Sequence, residues 1–132
     1  MNKQELSNKK EVENKQLILI PKIEDYIEYM VNVIIKLPRT EKFSIGTEYK
    51  TSMYKMLQNT LYINKINRIE NKKETLKMLN LIDADLNSQR IYLRIMKKQQ
   101  WIDNKKFEVS MNKIYEIGKI IGGLVKSYAQ DY

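Results

Sequence analysis

The chain contains neither cysteine nor histidine, and its 132 residues include only two prolines and four glycines. Without cysteine there are no disulfides, no thiolate chemistry and none of the usual structural zinc sites. Without histidine the most common general base and metal ligand is missing. No run of about 18 apolar residues is present, and the start of the chain lacks the apolar segment of a signal peptide. We therefore expect a cytoplasmic protein with no catalytic residues, no metal site, no cofactor and no membrane partner.

Positive charge is in excess, with 24 Lys and Arg against 16 Asp and Glu and a net charge of +8. Such an excess is typical of proteins that bind nucleic acid or another anionic partner. The many Lys, Asn and Ile residues are also typical of an AT-rich coding sequence, which is a compositional explanation for the bulk charge. Arginine is rare in the chain, yet Arg90 and Arg94 stand only four residues apart.

The spacing of apolar residues predicts four amphipathic helices and no strand. The expected ranges are 21–36, 44–65, 71–100 and 103 onwards, with Ser44 and Asn71 as candidate N-caps. Residues 1–16 are charged and lack aromatics, so we expect them to form a mobile arm. The sequence therefore predicts an all-α fold in which residues 17–132 form an up-and-down four-helix bundle.

The third predicted helix carries apolar residues on two sides. A helical wheel at about 100° per residue places the expected core stripe at Leu79, Ile82, Leu86 and Leu93. The nearly opposite side carries Leu81, Ala84, Ile91, Tyr92 and Ile95. One bundle buries one stripe, so the second face predicts an interface between copies in a homo-oligomer. The alternative is a central helix that its neighbours bury on both sides.

A basic strip lies between these two faces, with Arg90, Arg94 and Lys98 at successive intervals of four residues. From position 90 to position 106 there are six cations and one anion, a local charge of 6 − 1 = +5. The strip predicts a surface that binds phosphates with salt-sensitive affinity. The alternatives are a solvated basic face and a pairing of Arg94 with Glu116. Aromatic residues are interleaved with these charges and can either stack on bases or pack in the core: Tyr26, Tyr29, Tyr49, Tyr54, Tyr62, Tyr92 and Trp101.

Three of the four glycines occur in the last predicted helix, in the segment EIGKIIGGLVKSY. Each glycine in a helix interior costs about 1 kcal/mol relative to alanine. Gly118 and Gly122 are four residues apart, a spacing that predicts close packing against a neighbouring helix. The alternative is a frayed helix end that tolerates glycine.

Three segments together resemble the Avd-type four-helix-bundle family: LPRTEKFSIG (37–46), DADLNSQRIYLRI (83–95) and IYEIGKIIGGLVKSY (114–128). This family includes the accessory variability determinants of diversity-generating retroelements. It also includes proteins encoded in intervening sequences of large-subunit ribosomal RNA genes. The resemblance implies a four-helix bundle that assembles into a barrel of five copies and has no catalytic activity. It also implies binding to a reverse transcriptase, to RNA and to an RNA/DNA hybrid.

The family arginines of the third helix match Arg90 and Arg94, and its glycine block matches Gly118 and Gly122. With Lys97, Lys98 and Lys119, these two arginines form the expected nucleic-acid or reverse-transcriptase binding surface. The chain departs from the family at two places, with Lys119 where an arginine is usual and Leu124 where a tryptophan is frequent. Two functions follow as alternatives, namely the retroelement accessory protein and the ribosomal-RNA-intervening-sequence type of scaffold.

Overall fold

The computed structural model describes residues 2–66 and 70–130, which form four long helices and one short helix. The helices are α1 (Lys3–Ile35), α2 (Arg39–Lys42), α3 (Ile45–Lys65), α4 (Lys72–Lys98) and α5 (Asn104–Gln130). No strand occurs in the described part of the chain. The prediction of an all-α four-helix bundle is confirmed. The single turn of α2, between α1 and α3, was not predicted.

The first helix begins at Lys3, so its predicted start at Pro21 was wrong. Pro21 lies inside α1 at an exposed position. Val12, Gln16 and Leu19 pack toward the other helices, and this burial extends the helix beyond the proline. The helix therefore passes without interruption through the expected boundary at residue 17. The mobility of residues 1–16 stays a prediction.

The four long helices are antiparallel to their neighbours. The Gln89 amide donates to Ser52 Oγ at 3.0 Å, which joins the early part of α3 to the late part of α4. Lys22 of α1 contacts Glu116 of α5 at 3.1 Å, and Asp25, three residues later in α1, contacts Lys113, three residues earlier in α5. These two helices therefore run in opposite directions. α1 packs against α3 and α5, and α4 packs against the same two helices. The result is the up-and-down arrangement that the sequence predicts.

The core consists of one apolar stripe from each long helix. The four predicted stripe residues of α4 are all fully buried. The spacing of apolar residues in α5 predicts a buried line through Phe107, Met111, Ile114, Gly118, Ile121, Val125 and Tyr128. The observed line is shifted: Ile117 and Leu124 are in the core, while Phe107, Met111 and Val125 are only half-buried. The buried members from α5 are Ile114, Ile117, Ile121, Leu124 and Tyr128. Side chains at the shifted positions are therefore left at the flank of the bundle.

A chain of hydrogen bonds crosses the core from α3 through α1 and α4 and back to α3. Tyr26 donates to Gln89 Oε1 at 2.6 Å, so Tyr49 donates the 2.5 Å bond that joins the two tyrosine hydroxyls. The Gln89 amide donates to Ser52, which in turn donates to the Asp85 backbone carbonyl at 3.2 Å. Burial raises the pKa of both tyrosines well above its ordinary value, so both are neutral donors.

The helix starts differ in how they are capped. Ser44 and Asn71 stand at the predicted N-cap positions of α3 and α4, but neither side chain makes a capping hydrogen bond. Asp103 caps α5, since its carboxylate accepts the Lys106 backbone N–H at 2.7 Å. This cap begins α5 directly after the basic end of α4.

Candidate interaction surface on α4 and α5

The predicted basic strip lies along one flank of α4, beside α5. Arg94 and Lys98 are exposed, and Arg90 and Lys97 are half-buried. Lys119 is exposed on α5. Lys97 and Lys98 also lie in the last turn of α4, where positive charge is favourable to the helix dipole. These five side chains therefore present a positive surface, and Lys97 and Lys98 also stabilise the end of α4.

Arg90 is anchored between helices. Its guanidinium donates to Asn87 Oδ1 on the preceding turn, and its Nη2 atom is 2.8 Å from the place where a Cβ at position 118 would lie. Desolvation is the main cause of the raised pKa of Tyr26, and the positive charge of Arg90 offsets part of that rise. Arg90 is thus half-buried and held in place, whereas Arg94 is exposed to solvent.

The glycines of α5 have three different surroundings. Gly118 leaves room for the Arg90 side chain. At Gly122 no neighbouring atom lies within 4 Å of the place where a Cβ would be, so the predicted close packing of this residue against another helix of the same chain is wrong. Gly123, for which no contact was predicted, lies against the Lys15 side chain of α1. The Nζ atom of Lys15 is 2.9 Å from the place where a Cβ at position 123 would be. In both close contacts, therefore, the glycine meets a long cationic side chain and not a second backbone.

The alternative pairing of Arg94 with Glu116 does not occur. Glu116 contacts Lys22 of α1 at 3.1 Å, and Asp25 of α1 contacts Lys113 at 2.5 Å. Both carboxylates are thus engaged at the interface between α1 and α5, on the side of α5 away from α4. Consequently neither carboxylate neutralises the exposed guanidinium of Arg94.

The second apolar face of α4 is exposed to solvent. Leu81 and Ile95 are each 40% exposed, Ile91 is 48% exposed, and Ala84 is exposed as well. Tyr92 is half-buried because its ring lies 6.1 Å from that of Tyr49. Neighbouring helices do not cover this face, which removes the alternative of a central helix buried on both sides. Its role as an interface between copies stays a prediction.

The aromatic residues considered for base stacking differ in accessibility, since Tyr54 and Tyr62 are exposed while Tyr29, Tyr92 and Trp101 are half-buried. Tyr26 and Tyr49 are fully buried, and Lys113 lies 5.5 Å from the ring centre of Tyr29. The sequence interpretation missed Tyr115, which is 65% exposed on α5. A helical wheel for α5 would have found it, because Tyr115 lies well away from the line of Ile114 and Ile121.

Two further observations limit the chemistry of the described residues. Within 2–66 and 70–130, no three Asp or Glu residues gather as metal ligands would. None of the helices in these ranges is both long enough and apolar enough to cross a membrane.

Comparison with known proteins now places the chain. The sequence pattern of the bAvd-like family matches residues 17–128. No curated protein matches the chain. Among solved structures, a protein of unknown function from the S23 ribosomal protein family of Bacteroides thetaiotaomicron has a TM-score of 0.76 and 18% identity. That match covers 85% of this chain and 98% of the other, and it shows a shared fold. The family match extends over most of the chain, so the chain belongs to the bAvd-like family.

Proposed function

We propose that this protein is a non-catalytic accessory protein of a diversity-generating retroelement. It binds the element's reverse transcriptase and its RNA or RNA/DNA hybrid through a basic surface, and in this way it supports mutagenic reverse transcription. The observation that carries the proposal is the exposed basic strip on α4 and α5 in a member of the bAvd-like family.

Electrostatics supports the nucleic-acid part of the proposal. Arg94, Lys98 and Lys119 are exposed on adjacent helices, while the nearby acid Glu116 is engaged with Lys22 on the far side of α5. Cations that neutralise phosphates release counterions, so binding through such a surface weakens as salt rises. Nothing in this mechanism requires a reacting group. The strongly shifted tyrosines, Tyr26 and Tyr49, are fully buried and out of reach of a substrate.

The exposed apolar face of α4 supports assembly. Isoleucine and leucine side chains left 40–48% exposed along one helix lose contact with water when a second copy covers them. A closed ring of copies, five by the family resemblance, repeats the basic strip around its circumference. The repetition gives a polymerase and its RNA a broad positive surface, which one bundle alone does not offer.

The second candidate function is a scaffold of the ribosomal-RNA-intervening-sequence type. The structural neighbour from the S23 ribosomal protein family favours it, since the two chains share a fold over nearly the whole of that protein. This function requires the same bundle and the same apolar face of α4. It predicts no reverse-transcriptase partner.

The decisive experiment measures RNA binding by fluorescence anisotropy across a salt series. The test variant replaces Arg94, Lys98 and Lys119 by alanine, and the matched control replaces three exposed lysines elsewhere, Lys9, Lys10 and Lys65. Both variants lose three charges. The test variant is expected to reduce the slope of log K against log salt by about 2, since each contact with single-stranded RNA contributes about 0.7. The control is expected to keep most of the slope.

Equal weakening in both variants would show that affinity follows bulk charge, and it would remove the strip from the proposal. Co-expression with a retroelement reverse transcriptase, followed by co-purification, separates the two candidate functions. Capture of the polymerase by the wild-type protein, and its loss in the test variant, supports the retroelement function. RNA binding without polymerase capture favours the scaffold.

A further inference from the structure

Tyr115 is unusually exposed for a residue in the middle of a long packed helix. Its side chain is 65% accessible, against 43% for Tyr54 and 40% for Tyr62. A large ring left in water does not contribute to the core, so the fold does not explain its position. It lies on the flank of α5 that faces the basic strip, because the residue one turn further on, Gly118, is the one that meets Arg90.

Two cations of the surface, Arg94 and Lys119, lie within about one helical turn of Tyr115 along the bundle. α4 and α5 are antiparallel and Arg90 meets Gly118, so Arg94, one turn further along α4, lies level with Tyr115. Lys119 is one turn away on α5 itself and is exposed. The neighbouring acid Glu116 is engaged with Lys22 of α1, and Glu108 is two turns from Tyr115, about 10 Å by helical rise.

Beyond the ring, α5 carries glycine at positions 118 and 122, of which the first is covered by Arg90 and the second is open. Side chains of a helix lean toward its N-terminus, so Tyr115 leans away from Gly118 and Gly122. The space at Gly122 is open, since no neighbouring atom lies within 4 Å of the place where a Cβ would be. Because Tyr115 is 65% exposed, a planar group can contact its ring from solvent.

We propose that Tyr115 is a stacking platform for an unpaired base of single-stranded RNA or DNA, with Arg94 and Lys119 holding the phosphates on either side. The inference rests on the proposed function and specifies the form of nucleic acid that the strip selects. Sites for single strands combine a positive groove with aromatic rings on which bases stack. Paired bases in a duplex are already stacked on one another and offer the ring no free face. The charge complementarity favours a polyanion over an apolar peptide, and the exposed ring favours unpaired bases over duplex phosphates alone.

The test compares two labelled probes at one salt concentration, a single-stranded oligouridine and an RNA duplex of the same length. The variants are Tyr115→Ala, Tyr115→Phe and the matched control Tyr62→Ala on α3. The alanine variant at 115 is expected to weaken single-strand binding on the order of tenfold, since stacking on an aromatic ring contributes about 1–3 kcal/mol per base. Duplex binding is expected to change less than about twofold, because phosphate contacts do not involve the ring. Phenylalanine is expected to restore single-strand binding, because it keeps the ring.

Each result decides a different point. If wild-type protein binds both probes and Tyr115→Ala binds the single strand equally well, this inference is wrong and the proposed function stands. If that variant loses both probes equally, the ring has no selective role and the inference is again wrong. If wild-type protein binds neither probe, both this inference and the nucleic-acid part of the proposed function are overturned. Thermal unfolding of each variant, monitored by circular dichroism, checks that the bundle is intact.

Discussion

The guanidinium of Arg90 occupies the space that a side chain at position 118 would fill, with Nη2 at 2.8 Å from the Cβ that a substitution would add. A glycine in the middle of α5 thus has a local explanation. The same arginine donates to Asn87 and lies close enough to Tyr26 to affect its pKa. One cation of the strip is therefore fixed in position, and it aligns α4 with α5 beneath the exposed residues Arg94 and Lys119.

Alanine substitutions at two glycines separate the contribution of Arg90 from helix propensity. Gly122→Ala is expected to stabilise the fold by about 1 kcal/mol, because glycine costs about that much in a helix and the added methyl group meets open space. Gly118→Ala is expected to gain less, because the end of the Arg90 side chain must move. The free energy of unfolding in urea measures both. Equal gains at the two positions would contradict the Arg90 contact.

The buried hydrogen-bond chain predicts that two substitutions of the same size have unequal effects. Tyr26→Phe leaves both Tyr49 and Gln89 without their partner, whereas Tyr49→Phe removes only one donor from Tyr26. We expect a loss of about 1 kcal/mol for Tyr49→Phe and about 2–3 kcal/mol for Tyr26→Phe, since unpaired buried groups carry the larger penalty. Urea unfolding of the two variants tests the order. A larger loss for Tyr49→Phe would contradict the central position of Tyr26 in the hydrogen-bond chain.

The same tyrosines predict a loss of stability at alkaline pH. Their folded-state pKa values lie above the unfolded value of 10.0, mainly because of burial. Above pH 10 the unfolded chain therefore releases protons that the folded chain keeps, so stability is fully present below pH 10 and falls as pH rises further. Each tyrosine contributes a slope of about 1.4 kcal/mol per pH unit, or about 2.7 kcal/mol for both.

Unfolding in urea from pH 9 to pH 11.5 measures this slope. The double variant Tyr26→Phe/Tyr49→Phe is the control, because it keeps every lysine that titrates in the same range. Its stability is expected to fall less steeply than that of the wild type. Parallel curves for the two proteins would show that the tyrosines do not cause the loss.

The exposed face of α4 predicts self-association that one charge disrupts. Ile91 and Leu61 are both 48% exposed, the first on this face and the second on α3. Light scattering of the wild type is expected to give a multiple of the 15.8 kDa chain mass. Ile91→Glu is expected to give single chains, because a buried carboxylate without a partner opposes assembly. Leu61→Glu is expected to leave the assembly intact. A wild type that stays monomeric at high micromolar concentration would end the oligomer proposal.

Periodicity was enough to predict the elements that bury a regular stripe. The four apolar residues of the α4 stripe were predicted and are fully buried, because each alternation of three and four residues returns to one side of a helix. The start of α1 was not predictable in the same way. Its first turns carry few apolar residues, and Pro21 resembles a first helical position. Contacts of Val12 and Leu19 with other helices decide the outcome there.

The candidate site was predictable only in part, for a related reason. The wheel placed Arg94 and Lys98 on one flank of α4 correctly, since that requires a single helix. The partner of Glu116 and the surroundings of Gly122 depend on how far one helix is displaced along another. The exposure of Tyr115 was predictable, by contrast, because this residue lies about 100° from Ile114 on the helical wheel of α5.

The bonds that join Tyr26, Gln89 and Ser52 also restrict the sliding of the helices. A core made mostly of Ile, Leu and Met accepts several axial offsets at similar energy, because apolar contacts are not directional. Displacement of α4 by one turn, about 5.4 Å, separates all these donors from their acceptors inside the core. The buried hydrogen-bond chain thus selects one axial offset among several. This selection fixes the positions of the α4 cations along the bundle axis relative to those of α5.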